Sequence, residues 1–247
     1  AGTGVHRIGT FPPELEDSDY YQMILDAFPE YSRDELAKGA TRSIAAFERT
    51  VLANQSPLQL WLRGDASAMS EQQIRGGEVF FGDGNCTGCH QGPAFSSPVG
   101  VTGDQVFFAV GFSDLDANEV IGEVPDGVRL GRGGLTGNPD DNYKFKVPQL
   151  YNLADINVFG HGGSFDSVRD VIEYKNNAVP QNDASTSNLD YRFVPLNLSS
   201  SQIDDLVEFI EVSLRDPDLM RYEPTSVPSG LCVINNDSTS RSDLGCD

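Results

Sequence analysis

Apolar residues recur at helical spacing in several parts of the chain, separated by polar or glycine-rich stretches. A short helix is predicted over Asp19 to Phe28. The next helix follows Ser32-Arg33-Asp34-Glu35, which has the form of a capping box, and is predicted to end near Ala53. Its apolar positions lie three or four residues apart, as on one face of an α-helix: Leu36, Ala40, Ile44, Phe47 and Val51.

Three further helices are predicted downstream. One begins with Ser70-Glu71-Gln72-Gln73 and leads to the glycines before Cys86. Another is capped by Ser167, and one of its faces combines apolar residues with a charged one: Val168, Val171, Ile172 and Lys175. The last begins near Ser201 and ends before Pro217. The lysine is out of place, because a buried ammonium group is costly unless it is neutralised or paired.

The remaining segments lack a helical period. Residues 1–17 are predicted to form an irregular arm, and residues 91–142, which are rich in glycine, to form loops with one short hairpin. Residues 216–247 are polar and are predicted to form a tail on the surface. One domain over residues 18–215 is therefore expected between the arm and the tail.

The strongest chemical signal is the sequence Cys86-Thr87-Gly88-Cys89-His90. Its C-x-x-C-H spacing places two thiols one helical turn apart, where they can bond the vinyl groups of a haem, and puts a histidine beside them to bind the iron. Zinc binding needs a second cysteine pair at suitable spacing, and a thioredoxin-like dithiol needs a βαβ setting. Glycines crowd this motif instead, and Cys232 and Cys246 lie far downstream. The motif therefore predicts one covalently attached haem c.

Composition limits the partners. The 247-residue chain has a formal net charge of -20. This charge argues against nucleic acid or an anionic membrane as a partner. A basic electron-transfer partner and solubility in salty surroundings explain the charge equally well. No apolar run approaches the roughly 18 residues that span a bilayer. The sequence leaves the oligomeric state open.

The haem motif also bears on the compartment. Haem c is attached to exported chains, so the periplasm or the cell exterior is expected, and the sequence is taken as a mature or processed one. A disulfide between Cys232 and Cys246 is expected in such a compartment, where it would close a short loop of the tail. Two unpaired thiols are the alternative.

Several further motifs stand in order around the C-x-x-C-H sequence: Ser43-Ile44-Ala45-Ala46-Phe47-Glu48-Arg49-Thr50, Leu62-Arg63-Gly64-Asp65, Gly77-Glu78-Val79-Phe80-Phe81, Phe145-Lys146-Val147-Pro148-Gln149-Leu150-Tyr151-Asn152 and His161-Gly162-Gly163-Ser164. Together they resemble the C-terminal haem domain of the bacterial di-haem cytochrome c peroxidases and their MauG-type relatives, over most of residues 20–215. The resemblance implies a mainly α, cytochrome c-like helical haem domain with long Gly-rich loops.

The chain departs from that family in one respect. Family members carry a second, upstream C-x-x-C-H, whose haem is the site of peroxide chemistry, and no such motif precedes Cys86. Three explanations stay open. The chain is the C-terminal part of a processed protein, or its lineage has lost the first haem, or that haem lies on another chain.

The resemblance also points to a distal iron ligand. In the family, the residue fourteen positions after the histidine of an H-x-G motif binds this haem, as methionine in the peroxidases and as tyrosine in the MauG-like enzymes. Counting from His161 reaches Lys175, and Tyr174 takes the role if the helix register shifts by one. Alternatively, Lys175 extends past the haem to a propionate or to solvent, or Met220 supplies a thioether. The imidazole of His161 is chemically able to bind the iron, but a supporting role is favoured for this residue.

Calcium is a further expectation from the resemblance. The relatives hold a calcium ion between their two haem domains, partly through main-chain oxygens just before the H-x-G motif. The matching positions here lie near Ile156 and Val158.

These observations leave three alternative functions open. The first is electron transfer through a single haem whose iron has protein ligands on both sides. The second is that of a peroxidase or MauG-like oxidase whose catalytic haem lies on a missing N-terminal segment or on a second haem-bearing chain. The third is that of a structural subunit with a vestigial haem. The sequence supports the identity of the domain better than any one activity.

Overall fold

The computed structural model describes residues 19–32, 35–49, 53–97, 103–113, 126–217 and 219. The chain divides into two compact units, one made of Ala1–Leu52 and Arg221–Asp247 and the other of Ala53–Met220. The C-x-x-C-H motif belongs to the second unit. The predicted arm, the thioether candidate Met220 and the pair Cys232 and Cys246 lie outside the described residues.

The first unit contains the two helices predicted for this part of the chain. α1 spans Asp19–Ala27 and α2 spans Leu36–Glu48. The backbone N–H of Ser32 donates a hydrogen bond of 3.3 Å to the Glu35 carboxylate, which is one half of the expected capping box. α2 ends at Glu48 rather than near Ala53, because Ala53 belongs to the second unit, where it packs against the hydrophobic core.

Two predicted helices, α4 (Glu71–Phe81) and α8 (Ser200–Glu208), form the centre of the second unit. Both begin with a Ser-x-x-Gln capping box, in which serine and glutamine satisfy each other's free backbone N–H groups. The helices touch at Gly76, where a Cβ atom would lie 1.9 Å from the main-chain oxygen of Asp205. Close contact between their backbones is therefore possible only because α4 has glycine at this position.

The chain continues from α8 into a π-helical turn, Phe209–Ser213, which the sequence pattern did not predict. Phe209 is fully buried, and its ring centroid lies 5.4 Å from that of Phe80 on α4. These rings belong to a core within the second unit, which also contains Leu58, Tyr151, Val168, Ile172, Ile203, Leu206 and Leu214. This core forms one side of the cavity described below.

Two shorter helices complete the core. α7 spans Val168–Asn177 and begins, as predicted, with Ser167 accepting a hydrogen bond from the Asp170 backbone. α3 spans Pro57–Leu62 and was not predicted, although Ser56 and Gln59 form the same capping box that starts α4 and α8. The Ser-Pro-x-Gln pattern was thus a usable start signal.

The glycine-rich stretch contains short elements among its described residues. These are α5 (Asp126–Arg129), α6 (Arg132–Thr136) and β1 (Phe107–Phe108), and β1 pairs antiparallel with β2 (Phe145–Lys146). The expected local hairpin is therefore replaced, among these residues, by a pair formed over a long sequence separation. Single 3₁₀ turns occur at Cys86–Gly88, Gly103–Val106, Pro139–Asp141, Leu153–Asp155 and Ala184–Thr186.

The mainly α architecture is confirmed for the described part of the chain, where helices dominate and the strands are two residues long. Among these residues, no helix combines the length and the apolar character that crossing a bilayer requires.

Candidate haem site

A cavity of about 700 Å³ lies inside the second unit. Cys86, Cys89 and His90 line it together, so the fold directs the functional side chains of the C-x-x-C-H motif toward one space. Most of the remaining wall is apolar and comes from distant parts of the chain, including Phe80, Phe108, Leu150, Phe159, Leu206 and Ile210. The cavity thus offers an apolar interior with two thiols and an imidazole at its wall.

The local fold of the motif explains this convergence. Asn85 adopts a left-handed conformation with φ 47°, after which Cys86–Gly88 forms a 3₁₀ turn. The backbone N–H groups of Cys89 and His90 both donate to the Cys86 carbonyl, at 3.2 and 2.8 Å. This tight turn places both thiols and the imidazole on the cavity side.

The His90 ring is oriented by a hydrogen bond on its far nitrogen. Nδ1 lies 2.7 Å from the carbonyl oxygen of Phe95. Because a carbonyl can only accept, Nδ1 carries the proton and Nε2 keeps a free lone pair. A turn with Gly92 at φ 74° and Phe95 at φ 50° brings that carbonyl into position. His90 therefore has the tautomer that a metal-binding histidine needs.

Lys175 lies in the wall of the same cavity. The whole predicted face of α7 lines it: Val168, Val171, Ile172 and Lys175. The Lys175 Nζ atom is 4.5 Å from the centroid of the Phe112 ring and 5.2 Å from that of Phe193. Among the described residues, no carboxylate forms a salt bridge with it. The amine is thus held among aromatic rings and apolar side chains.

Tyr174 is placed differently. Its hydroxyl donates a hydrogen bond of 2.7 Å to the Val110 carbonyl, and its ring stacks on Phe112 at 5.2 Å. It is not among the residues that line the cavity. The helix register therefore brings Lys175, and not Tyr174, to the predicted site. His161 does line the cavity, with its ring centroid 4.1 Å from that of Phe145.

The surroundings of the site favour uncharged side chains. Burial raises the pKa of the Cys86 thiol to about 12 and also raises the pKa of Cys89. Burial lowers the pKa of His90, although its bond to Phe95 opposes this effect, and lowers the pKa of Lys175 to about 7. Neutral imidazole and neutral amine are the forms that can donate a lone pair to a metal.

Sequence reasoning missed one charged pair at this cavity. Asp190 and Arg192 both line it, and they form an ion pair in which Arg192 Nε lies 2.7 Å from an Asp190 oxygen. The hydrogen bond between the two side chains lowers the pKa of Asp190. No periodic pattern marks these residues, because they lie in a loop. An Asp-x-Arg spacing is the only local signal.

These features fit haem c. Two thiols at C-x-x-C spacing, a histidine with a free Nε2 and an apolar cavity are the groups that hold this cofactor covalently and bind its iron. The fold and the site thus define a c-type haem protein.

Comparisons with known proteins agree with this class. The cytochrome-c peroxidase IdrP1 of Denitromonas iodatirespirans is 30% identical over 200 residues, covering 72% of this chain and 50% of that protein. The methylamine utilization protein MauG of Methylophilus methylotrophus is 29% identical over 174 residues, covering 69% of this chain and 45% of that protein. The chain belongs to the family of the bacterial di-haem cytochrome c peroxidases and MauG proteins.

Solved structures show the same fold. A MauG-like protein associated with microbial copper homeostasis superposes with a TM-score of 0.59 at 23% identity, covering 81% of this chain and 60% of that one. The diheme peroxidase BthA from Burkholderia thailandensis gives 0.58 at 20% identity, covering 86% and 60%. No protein-family profile matches the chain. The chain spans about half the length of the curated relatives that it matches.

Proposed function

We propose that this chain is an electron-transfer domain that would hold one haem c, with His90 and Lys175 as the two side chains that would bind its iron. The position of Lys175 carries this proposal, because its amine lies in the wall of the cavity that Cys86, Cys89 and His90 also line. When bound, haem c supplies a one-electron couple between ferric and ferrous iron. If His90 and Lys175 both bound the iron, they would leave peroxide no place to bind, and the domain would serve to relay electrons.

Each residue of the site has a distinct task in this proposal. Cys86 and Cys89 hold the cofactor covalently, and the Phe95 carbonyl keeps the His90 Nε2 lone pair directed into the cavity. Lys175 supplies a neutral amine, because burial disfavours the charged ammonium form and lowers the pKa of this side chain. The apolar walls exclude water from the remaining space.

The proposal also includes a cellular compartment and a calcium ion. We place the protein in the periplasm or outside the cell, because attachment of haem c takes place on exported chains. Calcium near Ile156 and Val158 stays part of the proposal, through main-chain oxygens. Among the described residues, no group of three or more His, Cys, Asp and Glu side chains could hold a metal ion.

The ligand assignment is tested by electron paramagnetic resonance and near-infrared spectra of the oxidised holoprotein. The wild type is expected to give a low-spin signal and an amine-to-iron charge-transfer band. Lys175→Ala is expected to lose both and to gain a high-spin signal, because the proposed nitrogen ligand is removed. Added cyanide is expected to bind this variant but not the wild type.

Two control variants sharpen this test. Tyr174→Phe removes the other ligand candidate, and Lys146→Ala removes a second lysine that lines the cavity, whose ammonium lies 3.4 Å from the Val147 carbonyl. Both are expected to keep the wild-type spectrum. A wild-type spectrum that is high-spin and indifferent to Lys175→Ala would overturn the assignment and favour peroxide chemistry at this haem.

A peroxidase function is the second candidate, supported by the family and by the half-length match to peroxidases. In that case a second haem, on a missing segment or on a partner chain, reacts with peroxide, and this domain supplies its electron. The chain by itself is then expected to show no peroxide turnover with a reduced small-molecule donor, whereas an assembly that contains a second haem-bearing chain turns over. A second haem chain that copurifies from the native source would favour this candidate.

The redox partner is proposed to be a basic protein. The formal net charge of -20 attracts a cationic surface over a distance comparable with the Debye length, about 10 Å at 0.1 M salt. The second-order rate constant of electron transfer with a basic cytochrome is expected to fall as ionic strength rises, and that with an acidic one to rise. Stopped-flow measurement over a salt series checks this. Equal salt dependence for both partners would exclude electrostatic steering.

A further inference from the structure

The loop that carries Asp190 and Arg192 is fixed to the rest of the second unit at several points. The backbone N–H of Asp190 donates to the Ala109 carbonyl at 2.8 Å, next to β1. Arg192 then folds back on Asp190, with Nε and Nη2 donating to the two carboxylate oxygens at 2.7 and 2.9 Å. Such a two-bond arrangement fixes the plane of the guanidinium group.

A further N–H group of Arg192 reaches the haem motif. Nη1 donates a hydrogen bond of 2.6 Å to the carbonyl of Gly88, the residue between Thr87 and Cys89. The guanidinium carbon also lies 4.4 Å from the centroid of the Phe108 ring. A side chain far away in sequence is thus bonded to the peptide that joins the two haem-binding cysteines.

The two charged side chains of this pair differ in their contacts with the haem motif. Both Asp190 and Arg192 line the cavity, and their side chains are only 15% and 22% exposed. Arg192 makes the direct contact with the C-x-x-C segment, whereas the described contacts of the Asp190 carboxylate are with Arg192 itself. The positive member of the pair therefore contacts the C-x-x-C segment directly, whereas the negative member is bonded to the positive one.

We propose that the positive charge of Arg192 raises the reduction potential of the haem and that the negative charge of Asp190 partly offsets this effect. The inference rests on the proposed electron-transfer function. Reduction adds one electron to the iron and breaks no bond, so a fixed positive charge beside the macrocycle stabilises the reduced state and a fixed negative charge opposes it. The bond from Arg192 to Gly88 holds the positive charge at a constant distance.

The test is a potentiometric titration of the holoprotein at neutral pH. Arg192→Gln is expected to favour the oxidised form by about tenfold, equivalent to a midpoint potential lower by about 59 mV for one electron. Asp190→Asn is expected to raise the potential. Arg192→Lys keeps the charge and is expected to restore most of the wild-type value.

A matched pair elsewhere in the unit serves as the control. Arg75 binds Asp205 through two hydrogen bonds of 2.9 and 3.1 Å, and neither residue lines the cavity. Arg75→Gln makes the same charge change and is expected to leave the potential unaltered. If Arg192→Gln and Asp190→Asn move the potential in the same direction, or if Arg75→Gln moves it as far, a charge effect at the haem is excluded.

The test of Arg192 does not depend on whether Lys175 binds the iron. The spin state of each variant is recorded beside its potential. If Arg192→Gln is low-spin and its potential is unchanged, the role proposed for Arg192 is wrong, while Lys175 can still be an iron ligand. A high-spin wild type overturns the axial role of Lys175, while opposite shifts from the two charge variants would still support the role of Arg192.

Discussion

The variant Cys86→Ala/Cys89→Ala is expected to contain no covalently bound haem, whereas Cys232→Ala/Cys246→Ala is expected to retain it fully. The first pair lines the cavity beside His90, and both thiols are free among the described residues. Thioether bonds to haem require these sulfur atoms, and no other side chain at the wall can form them. Haem staining after denaturing electrophoresis, normalised to protein, checks the result.

The single variants Cys86→Ala and Cys89→Ala serve as controls for the double variant. Each keeps one thioether bond, so each is expected to keep haem on the denaturing gel, with a haemochrome band shifted relative to the wild type. His90→Ala removes an iron ligand but no thioether. Any haem attached to that variant is expected to be high-spin. Covalent haem in the double variant of Cys86 and Cys89 would contradict the proposed site.

Gly76→Ala is expected to destabilise the protein by about 3 kcal/mol, the upper part of the usual range for overpacked cores. The new Cβ would lie 1.9 Å from the Asp205 main-chain oxygen and 2.6 Å from the Phe209 Cβ. Backbone cannot turn aside as a flexible side chain can, so α4 and α8 must separate. Urea unfolding of the holoprotein, followed by far-ultraviolet circular dichroism, measures the loss.

Gly77→Ala, one residue further along α4, is the matched control. Its Cβ would meet the edge of the Phe209 ring at 3.3 Å, a contact that a small ring movement relieves. Alanine also has a better helix propensity than glycine, by about 1 kcal/mol. This variant is expected to remain within about 1 kcal/mol of the wild type. Equal urea midpoints for the two variants would show that the close contact between α4 and α8 does not limit stability.

The parts of the fold that depend on local sequence were predictable. Capping boxes at Ser70 and a cap at Ser167 marked the starts of α4 and α7, because their hydrogen bonds involve residues within one turn. The C-x-x-C-H spacing and the apolar face of α7 likewise depend on neighbouring residues. For the same reason, Lys175 was placed correctly on the face that lines the cavity.

Features that depend on distant residues were not predictable in this way. The pairing of β1 with β2 and the bond from Arg192 to Gly88 join segments that no local pattern connects. Which of Lys175 and Tyr174 lines the cavity also depends on the helix register, and the Tyr174 hydroxyl bonds to the Val110 carbonyl instead. The π turn at Phe209–Ser213 had no signal in the apolar spacing, because a single wide turn shifts the period only slightly.

The cavity also bears on how the protein is made. An unfilled cavity costs about 24 cal/mol per Å³, so leaving even half of this one empty would cost about 8 kcal/mol. That penalty is comparable with the whole stability of a typical domain, about 5–15 kcal/mol. Its walls come from residues as far apart as Phe80 and Ile210. We therefore expect that a haem joined to Cys86 and Cys89 stabilises the fold by filling this space. A chain that has not received its haem is expected to be less stable and more sensitive to proteases than the holoprotein.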